Sequence, residues 1–303
     1  DRLEVIKLLS GQAAIALENA RLYQTLENKV IERTAQLAEA NQEISALNEK
    51  LQEENLRLSA ELDVAKKLQE MVLPKPAELD AIAGLDIAGY MEPADEVGGD
   101  YYDVLSSEHG VKIAIGDVTG HGLESGVLML MAQTAVRTLN ESNETDPVRF
   151  FDILNRTLYG NIERMNSEKN MTLAIIDYAD GVVKLSGQHE EMIVVRADGV
   201  VEKIDTMDLG FPIGLDTEIA DFIAQTTVQL NSKDVVILYT DGITEAENID
   251  KELYGLAKLC QIVQENRGLS SQEIRQAVID DLRQFIGNQK VFDDITLVVL
   301  KQK

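Results

Sequence analysis

The chain has little of three things that many protein classes require: cysteine, positive charge and long apolar runs. Its one cysteine, Cys260, excludes an intramolecular disulfide framework and fits a reducing compartment, so we expect a cytoplasmic protein. Lys and Arg number 28 against 53 Asp and Glu, and a net charge of −25 repels nucleic acid and anionic lipid. Since we also find no signal-peptide pattern and no apolar run of about 18 residues, we expect neither nucleic acid nor membrane as a partner.

Proline and glycine are absent from residues 23–70, which are rich in Glu, Gln, Ala, Leu and Lys. This composition predicts one long helix. Apolar residues recur at every seventh position, and a row four residues further on is mostly asparagine: Val30, Leu37, Ile44, Leu51 and Leu58, followed by Thr34, Asn41, Asn48, Asn55 and Leu62. Taken as d and a positions, the rows predict a two-stranded coiled coil in which Asn fixes the register and lowers stability. A seam through Ala40, Leu47 and Leu68, or a single solvated helix, are the alternatives.

The ends of this helical stretch suggest how the chain is divided. Residues 1–22 form an amphipathic helix pattern, and the run LLSGQAAIALENARLY resembles the last helix of a GAF sensory domain; any amphipathic helix is the alternative. Pro74 and Pro76 cannot continue the long helix. We therefore predict a GAF-like helix at 1–22, a dimeric coiled-coil linker at 23–70, and a globular domain at 71–303.

Apolar alternation in the globular domain predicts strands in two groups and helices in pairs. The strands are expected at 85–90, 101–105, 111–115, 171–178, 182–187, 192–197, 200–204, 226–230, 234–240 and 295–300, and the helices at about 122–140, 147–165, 253–266 and 271–286. Asp146 is a candidate helix cap before Pro147, and Asp180-Gly181 and Asp198-Gly199 are hairpin turns. The pattern predicts an α+β fold of two stacked sheets with helices outside.

The segment GDVTGHG, Gly116 to Gly122, joins a half-buried strand to a long helix and organises the domain. A carboxylate such as Asp117 at this turn suits a hard cation, and the helix N-terminus beside it suits an anion. A cation and an anion at one turn indicate phosphate chemistry. The alternative is an ordinary strand-to-helix turn with a solvated aspartate.

Three further aspartates lie near predicted strand ends: Asp100, Asp241 and Asp293. Each alone is more often a turn former or a cap. Gathered with Asp117 at one rim of a sheet, they would form a site for two divalent ions. Such a centre can activate water and stabilise the charge of an in-line displacement at phosphorus.

The segments GGDYYD, GDVTGHG, YTDGITEA and FDDITLVV, in this order and spacing, resemble the PPM metal-dependent protein phosphatases. The resemblance covers about residues 71–303 and is closer to the bacterial branch typified by stage II sporulation protein E and the sigma-factor regulatory phosphatases. It implies an αββα sandwich, hydrolysis of phosphoserine or phosphothreonine on a protein, and two Mn²⁺ or Mg²⁺ ions.

The same resemblance implies roles for individual residues. Asp117 would bridge the two metals, and the Val118 carbonyl would add a ligand. Asp241 and Asp293 would bind the first metal, and Asp100 would serve the second, directly or through water. Asp117, Asp241 and Asp293 are therefore the expected catalytic residues.

Partners follow from the resemblance as well. The expected substrate is a phosphorylated STAS-domain anti-sigma-factor antagonist, and Leu68 to Pro74 resembles a helical switch that couples upstream sensors to the metal site. No cysteine followed by a phosphate-cradling arginine loop occurs, which disfavours a cysteine-based phosphatase. The rival function is a catalytically silent dimeric scaffold, which would have no use for the four aspartates.

The chain departs from the family at several positions. Thr119 stands where the eukaryotic protein phosphatases 2C carry a proposed acid histidine, and His121 is expected to be a turn or capping residue. No arginine lies between Pro74 and Asp117, so metals and backbone amides near Gly120–Gly122 are expected to hold phosphate. His189, in GQHEEM, replaces a commoner Gly-His-Pro pattern. Three more carboxylates are expected to be supporting or solvated groups: Asp103, Glu245 and Asp294.

Overall fold

The computed structural model describes residues 2–94, 97–107 and 109–303, with Asp63 described by its backbone alone. Residue 1, part of the predicted helix 1–22, lies outside the described residues. Tertiary contacts divide the chain into two compact units, Asp1–Glu61 and Leu62–Lys303.

Helix α1 runs through Arg2–Val72 without interruption, as its composition predicts. Residues 2–61 are all exposed, and so are the apolar heptad residues among them, with exposed fractions of 57% for Val30, 63% for Leu37, 57% for Ile44, 58% for Leu51 and 51% for Leu58. The long helix is confirmed, while its pairing with a second copy stays a prediction. Within the described residues, no helix is both long enough and apolar enough to cross a bilayer.

Two five-stranded antiparallel sheets form the second unit. The first sheet has the order β1-β10-β9-β6-β7, with β1 at Leu85–Glu92, β10 at Ile295–Gln302, β9 at Val235–Tyr239, β6 at Met192–Val195 and β7 at Val201–Ile204. The second has the order β2-β3-β4-β5-β8, with β2 at Tyr101–Ser107, β3 at Gly110–Val118, β4 at Met171–Ala179, β5 at Val182–Gln188 and β8 at Gln225–Gln229. All ten predicted strands are present, displaced by a few residues at their ends.

The helices of this unit are α2 at Pro76–Asp80, α3 at Leu123–Glu141, α4 at Pro147–Met165, α5 at Asp241–Thr244, α6 at Leu256–Asn266 and α7 at Ser271–Ile286. The four long helices were predicted. The short α2 and α5, and a 3-10 turn at Ala220–Phe222, were not, because one turn of helix has no periodic apolar face to detect.

Three apolar cores hold the layers together. The two sheets pack face to face around residues such as Leu85, Ile113 and Leu238. Helices α3 and α4 cover the outer face of the second sheet, and α6 and α7 cover the outer face of the first. The predicted αββα sandwich is confirmed, and β9 is buried along its whole length because both of its faces meet a core.

Local sequence explains how several elements begin. The Asp146 carboxylate accepts a hydrogen bond from the Val148 amide at 3.1 Å, so the predicted cap of α4 is confirmed. Ser270 caps α7 and exchanges hydrogen bonds with Glu273 in a capping box. Asp180 and Gly181 have φ angles of 48° and 81°, the left-handed pair that a tight hairpin between β4 and β5 requires.

Candidate metal centre

The four aspartates lie at matching ends of paired strands. Asp100 immediately precedes β2 and Asp117 lies near the end of β3, where Tyr101 pairs with Gly116. Asp241 follows β9 and Asp293 precedes β10, where Leu297 pairs with Tyr239. Each sheet therefore brings two aspartates to one rim.

Two threonines of the first sheet bind the aspartate of the second. The hydroxyl groups of Thr240 and Thr296 both donate to Asp100 Oδ2, at 2.8 Å and 2.5 Å. Asp100 is only 1% exposed. These hydrogen bonds join the two rims, so the four aspartates belong to one centre. Neither threonine was singled out in the sequence, although Thr240 directly precedes Asp241 and Thr296 follows Asp294 by two residues.

Asp294 organises the loop that precedes β2. Its Oδ1 accepts from the Ala94 amide at 2.8 Å and its Oδ2 from the Gly99 amide at 2.6 Å. The carboxylate is 2% exposed, and a Cβ on Gly98 would stand 2.4 Å from its Oδ2, so the loop needs glycine there. Asp294 is thus a buried supporting residue, whereas Asp293 accepts the Asp294 amide at 2.8 Å and remains partly exposed.

Negative charge accumulates at this rim, where several carboxylates repel one another. Burial, followed by repulsion from Asp241, Asp293 and Asp294, raises the pKa of Asp117 to about 8. Burial and then Asp117 raise the pKa of Asp100 well above its usual value. Burial and then Asp293 raise the pKa of Asp241. A bound cation would relieve the repulsion that produces these shifts.

The donor set fits hard divalent cations. It consists of carboxylate oxygens together with the Val118 carbonyl, which are ligands that Mg²⁺ and Mn²⁺ prefer. A Cβ on Gly99 would stand 2.7 Å from the Val118 carbonyl oxygen, so glycine keeps the space beside that oxygen open. In the described part of the chain, no three His, Cys, Asp or Glu side chains lie close enough together to form a complete metal site.

His189 links the two rims from inside the domain. Its Nε2 lies 3.1 Å from the Tyr239 carbonyl and its Nδ1 lies 2.9 Å from the Thr172 hydroxyl. A carbonyl can only accept, so Nε2 carries the proton and Nδ1 accepts from Thr172. Burial lowers the pKa of His189 to about 4, which keeps the ring neutral. Thr172 pairs with Asp117 across β3 and β4, so the histidine supports the strand that carries that aspartate.

The remaining expected residues lie around the centre in other roles. Asp103 binds Arg137 on α3 through both oxygens, at 2.8 Å and 3.1 Å, and anchors that helix to β2. Glu245 closes α5, where its amide donates to the Asp241 carbonyl at 2.7 Å. His121 is exposed in the turn before α3.

One backbone amide that was expected to hold phosphate is already engaged, and so is the amide of a neighbouring residue. The Gly122 amide donates to the Val97 carbonyl at 3.2 Å, and the Thr119 amide donates to the Asn170 carbonyl at 2.9 Å. The expectation that backbone amides near Gly120–Gly122 hold the phosphate is therefore wrong for Gly122. The reason is that the loop before β2 lies against the turn and takes this donor.

The end of α1 contacts the loop beside Asp100. Gln69 donates from Nε2 to the Gly98 carbonyl at 2.9 Å and accepts from the Gly98 amide at 3.1 Å through Oε1. Its side chain is buried, with 3% exposed. Gln133 on α3 donates to the Val72 carbonyl at 3.2 Å. The sequence indicated this segment, but no local signal identified Gln69 as the contact.

The family model described as stage II sporulation protein E (SpoIIE) matches residues 107–303. The chain belongs to the SpoIIE family. It is also 26% identical over 254 residues to the phosphoserine phosphatase RsbU of Bacillus subtilis, an alignment that covers 81% of this chain and 71% of RsbU. Membership of the SpoIIE family makes the protein a serine/threonine phosphatase of the PPM type.

Solved structures agree with the SpoIIE fold. The SiaA-PP2C domain of Pseudomonas aeruginosa superposes with a TM-score of 0.71 at 19% identity, covering 82% of this chain and 98% of that domain. The catalytic domain of the serine/threonine protein phosphatase PstP, in complex with two manganese ions, superposes with a TM-score of 0.51 at 17% identity. That alignment covers 72% of this chain and 97% of PstP's.

Proposed function

We propose that this phosphatase depends on two divalent ions, Mn²⁺ or Mg²⁺, held by Asp100, Asp117, Asp241 and Asp293 with the Val118 carbonyl. The observation that carries the proposal is the position of these aspartates at one rim of both sheets, where burial and then repulsion from neighbouring aspartates raise the pKa of Asp117 to about 8. The structure of PstP with two manganese ions supports the choice of divalent metals.

When bound, the ions would activate water and neutralise the charge that develops on the phosphoryl group. The chain's own residues hold the donors in place. Thr240 and Thr296 orient Asp100, and Asp294 fixes the loop that carries it. His189 braces the strand opposite Asp117. These buried contacts hold Asp100 and the strand that carries Asp117 in position at the rim.

The proposed substrate is phosphoserine or phosphothreonine on a small STAS-domain regulator. The resemblance to the sigma-factor regulatory phosphatases supports this class, as does similarity to RsbU, which is named a phosphoserine phosphatase. Incubation with phosphorylated STAS proteins of the source organism tests it directly. Release of phosphate from none of them would reject this substrate class while leaving the phosphatase activity intact.

The metal assignment is tested with p-nitrophenyl phosphate in the presence of Mn²⁺ or Mg²⁺. Asp117→Asn should abolish turnover and leave the fold intact, because it removes a shared ligand and relieves clustered charge. Asp241→Asn and Asp293→Asn should also be severe. Asp80→Asn, which removes the same charge at the exposed end of α2, should match the parent.

Two results would contradict this reading. Near-normal turnover by Asp117→Asn would reject its role as the bridging ligand. A folded protein without any Mn²⁺-stimulated activity would favour the rival function, a silent dimeric scaffold. His121→Ala should have a mild effect, because His121 is exposed in the turn; a loss as large as that of Asp117→Asn would make it a catalytic candidate.

We also infer that an upstream sensor controls the enzyme through a parallel dimer of residues 23–70, with residues 1–22 as the end of a GAF-like domain. The exposed apolar heptad row of α1 supports dimerisation. The contact of Gln69 with Gly98 supports coupling, since Gly98 lies two residues before Asp100. Gln69→Ala should therefore change the Mn²⁺ concentration that half-activates the enzyme; an unchanged metal titration would reject this route.

A further inference from the structure

One lysine reaches the turn that carries Asp117. The ladder between β3 and β4 continues past their ends, where the Asn170 amide donates to Thr119 Oγ1 at 3.1 Å. Lys169, the next residue outward, donates from Nζ to the Thr119 carbonyl at 2.7 Å. Its ammonium group is therefore bound to the backbone of Thr119, which follows the proposed bridging aspartate, Asp117, by two residues.

The turn leaves room for this ammonium. Gly120 has a φ of +69°, in the left-handed region that favours glycine. A Cβ at Gly120 would stand 3.1 Å from Lys169 Nζ, which is a close approach for any side chain. Glycine at this position thus permits the conformation of the turn and leaves space for the ammonium group of Lys169.

Lys169 forms no ion pair within 4 Å in the described part of the chain. Among the described residues, the ion pairs within 4 Å involve other lysines and arginines, such as Lys112 with Asp177 and Arg137 with Asp103. The ammonium group has three N–H donors, and Thr119 accepts from one of them. Lys169 is only partly exposed, so its position is restricted by its surroundings.

The substrate makes such a cation useful. A phosphomonoester carries a charge of about −1.5 to −2 at neutral pH, and it must approach a rim lined by aspartates on a protein of net charge −25. The amides of Thr119 and Gly122 are engaged within the protein and cannot receive it. Lys169 retains N–H donors beyond the one that Thr119 accepts, and these supply positive charge at the turn for the phosphoryl oxygens.

We propose that Lys169 is a substrate-binding residue that contacts the phosphoryl group of phosphoserine or phosphothreonine while Thr119 holds its ammonium in place. The proposal deepens the proposed function, because it assumes that phosphate arrives beside Asp117. It predicts that Lys169 acts on the affinity for the oxyanion and has little effect on the affinity for the metal ions.

The test compares Lys169→Met, which removes the charge, with Lys169→Arg, which keeps it. Lys184→Met is the matched control, since it removes an exposed lysine that pairs with Asp177 toward the other end of β4. Calorimetric titration of inorganic phosphate into the Mn²⁺-loaded full chain measures oxyanion binding without turnover. Kinetics with p-nitrophenyl phosphate separate KM from kcat, and a Mn²⁺ titration reports the metal site.

Lys169→Met should weaken phosphate binding and raise KM about tenfold, with kcat within about threefold of the parent, because one charge-assisted hydrogen bond is lost. Lys169→Arg should stay within about threefold of the parent in phosphate affinity, because it retains a charged donor. Lys184→Met should match the parent. The Mn²⁺ concentration at half-saturation should be unchanged or lower in Lys169→Met, because loss of the lysine charge removes repulsion toward the metal cation.

Phosphate affinity in Lys169→Met within about twofold of the parent would overturn the proposal. Absence of phosphate binding by the parent would also overturn it. Weaker Mn²⁺ binding in Lys169→Met would overturn it as well, because it would show that the lysine only supports the turn. Turnover by the parent reports separately on the phosphatase assignment. An inactive parent that binds phosphate through Lys169 would reject that assignment while keeping the anion contact.

Discussion

A buried hydroxyl group stabilises this domain only when it forms a hydrogen bond, and two buried tyrosines differ in whether they form one. Tyr101 is fully buried beneath α3, and its hydroxyl has no hydrogen-bond partner among the described residues. The Tyr178 hydroxyl, buried between the sheets, donates to Gln302 Oε1 at 2.8 Å. Burying an unpaired hydroxyl costs free energy, whereas a paired hydroxyl contributes to stability.

Tyr101→Phe should therefore leave the free energy of unfolding unchanged or raise it by about 1 kcal/mol, because it removes a hydroxyl without a partner and keeps the aromatic ring. Tyr178→Phe is the matched comparison and should lower that free energy by about 1 kcal/mol, since Gln302 loses its partner. Chemical denaturation of both variants measures the difference. A larger loss in Tyr101→Phe than in Tyr178→Phe would contradict the assignment.

Adjacent residues also show where sequence reasoning stops. Asp293 and Asp294 are indistinguishable in the motif FDDITLVV, yet the second is buried and accepts hydrogen bonds from the amides of Ala94 and Gly99. Its partners lie about 200 residues away in the chain, so no local pattern could separate the two. Gln69 was hidden in the same way, because its partner Gly98 lies outside the helix that carries it.

At the scale of elements, local sequence signals were sufficient to predict caps and turns, in which a residue acts on its neighbours in the chain. Asp146 caps α4, Pro147 lies in its first turn, and Asp180-Gly181 forms a hairpin turn. The structure confirms these three local predictions. Helix α5 was missed because Asp241 opens a single turn of helix that resembles a loop in sequence. The proposed partner of the long helix α1 is a second copy of the chain, so the pairing of its exposed apolar row stays a prediction.

Replacing Asn41, Asn48 and Asn55 with Val should tighten self-association of the chain and hold activity at one level. Apolar residues at a positions stabilise a coiled coil that Asn leaves marginal. Deleting residues 1–64 should instead give a monomer with weaker Mn²⁺ affinity. Sedimentation and Mn²⁺ titration of the parent and both variants provide the measurement. A monomeric parent, or three identical metal curves, would remove the linker from the mechanism.

At the scale of the whole molecule, the aspartate centre should make the metal-free protein sensitive to alkali. The pKa of Asp117 is about 8 in the folded chain and about 3.9 in an unfolded one. Between these values the folded state retains a proton that the unfolded state releases, so stability falls as the pH rises.

We therefore expect the thermal midpoint of chelator-treated protein to decrease from pH 5 to pH 8. Asp117→Asn should flatten this dependence, because its amide does not titrate. The general repulsion of a chain with net charge −25 acts in the same direction. Asp80→Asn controls for that effect, since it removes a charge outside the centre. Equal slopes in the two variants would show that the centre does not contribute.

The position of β10 in the first sheet bears on how the enzyme is made. This strand is the last of the chain, yet it lies between β1 and β9, and it supplies Thr296 to Asp100. During synthesis, Asp100 and Asp117 leave the ribosome long before Asp293 and Thr296 do. A chain that stops before residue 293 lacks the strand between β1 and β9 as well as part of the proposed ion-binding centre. Synthesis through β10 must therefore precede assembly of the proposed ion-binding centre, and a chain that stops earlier should not hydrolyse phosphate.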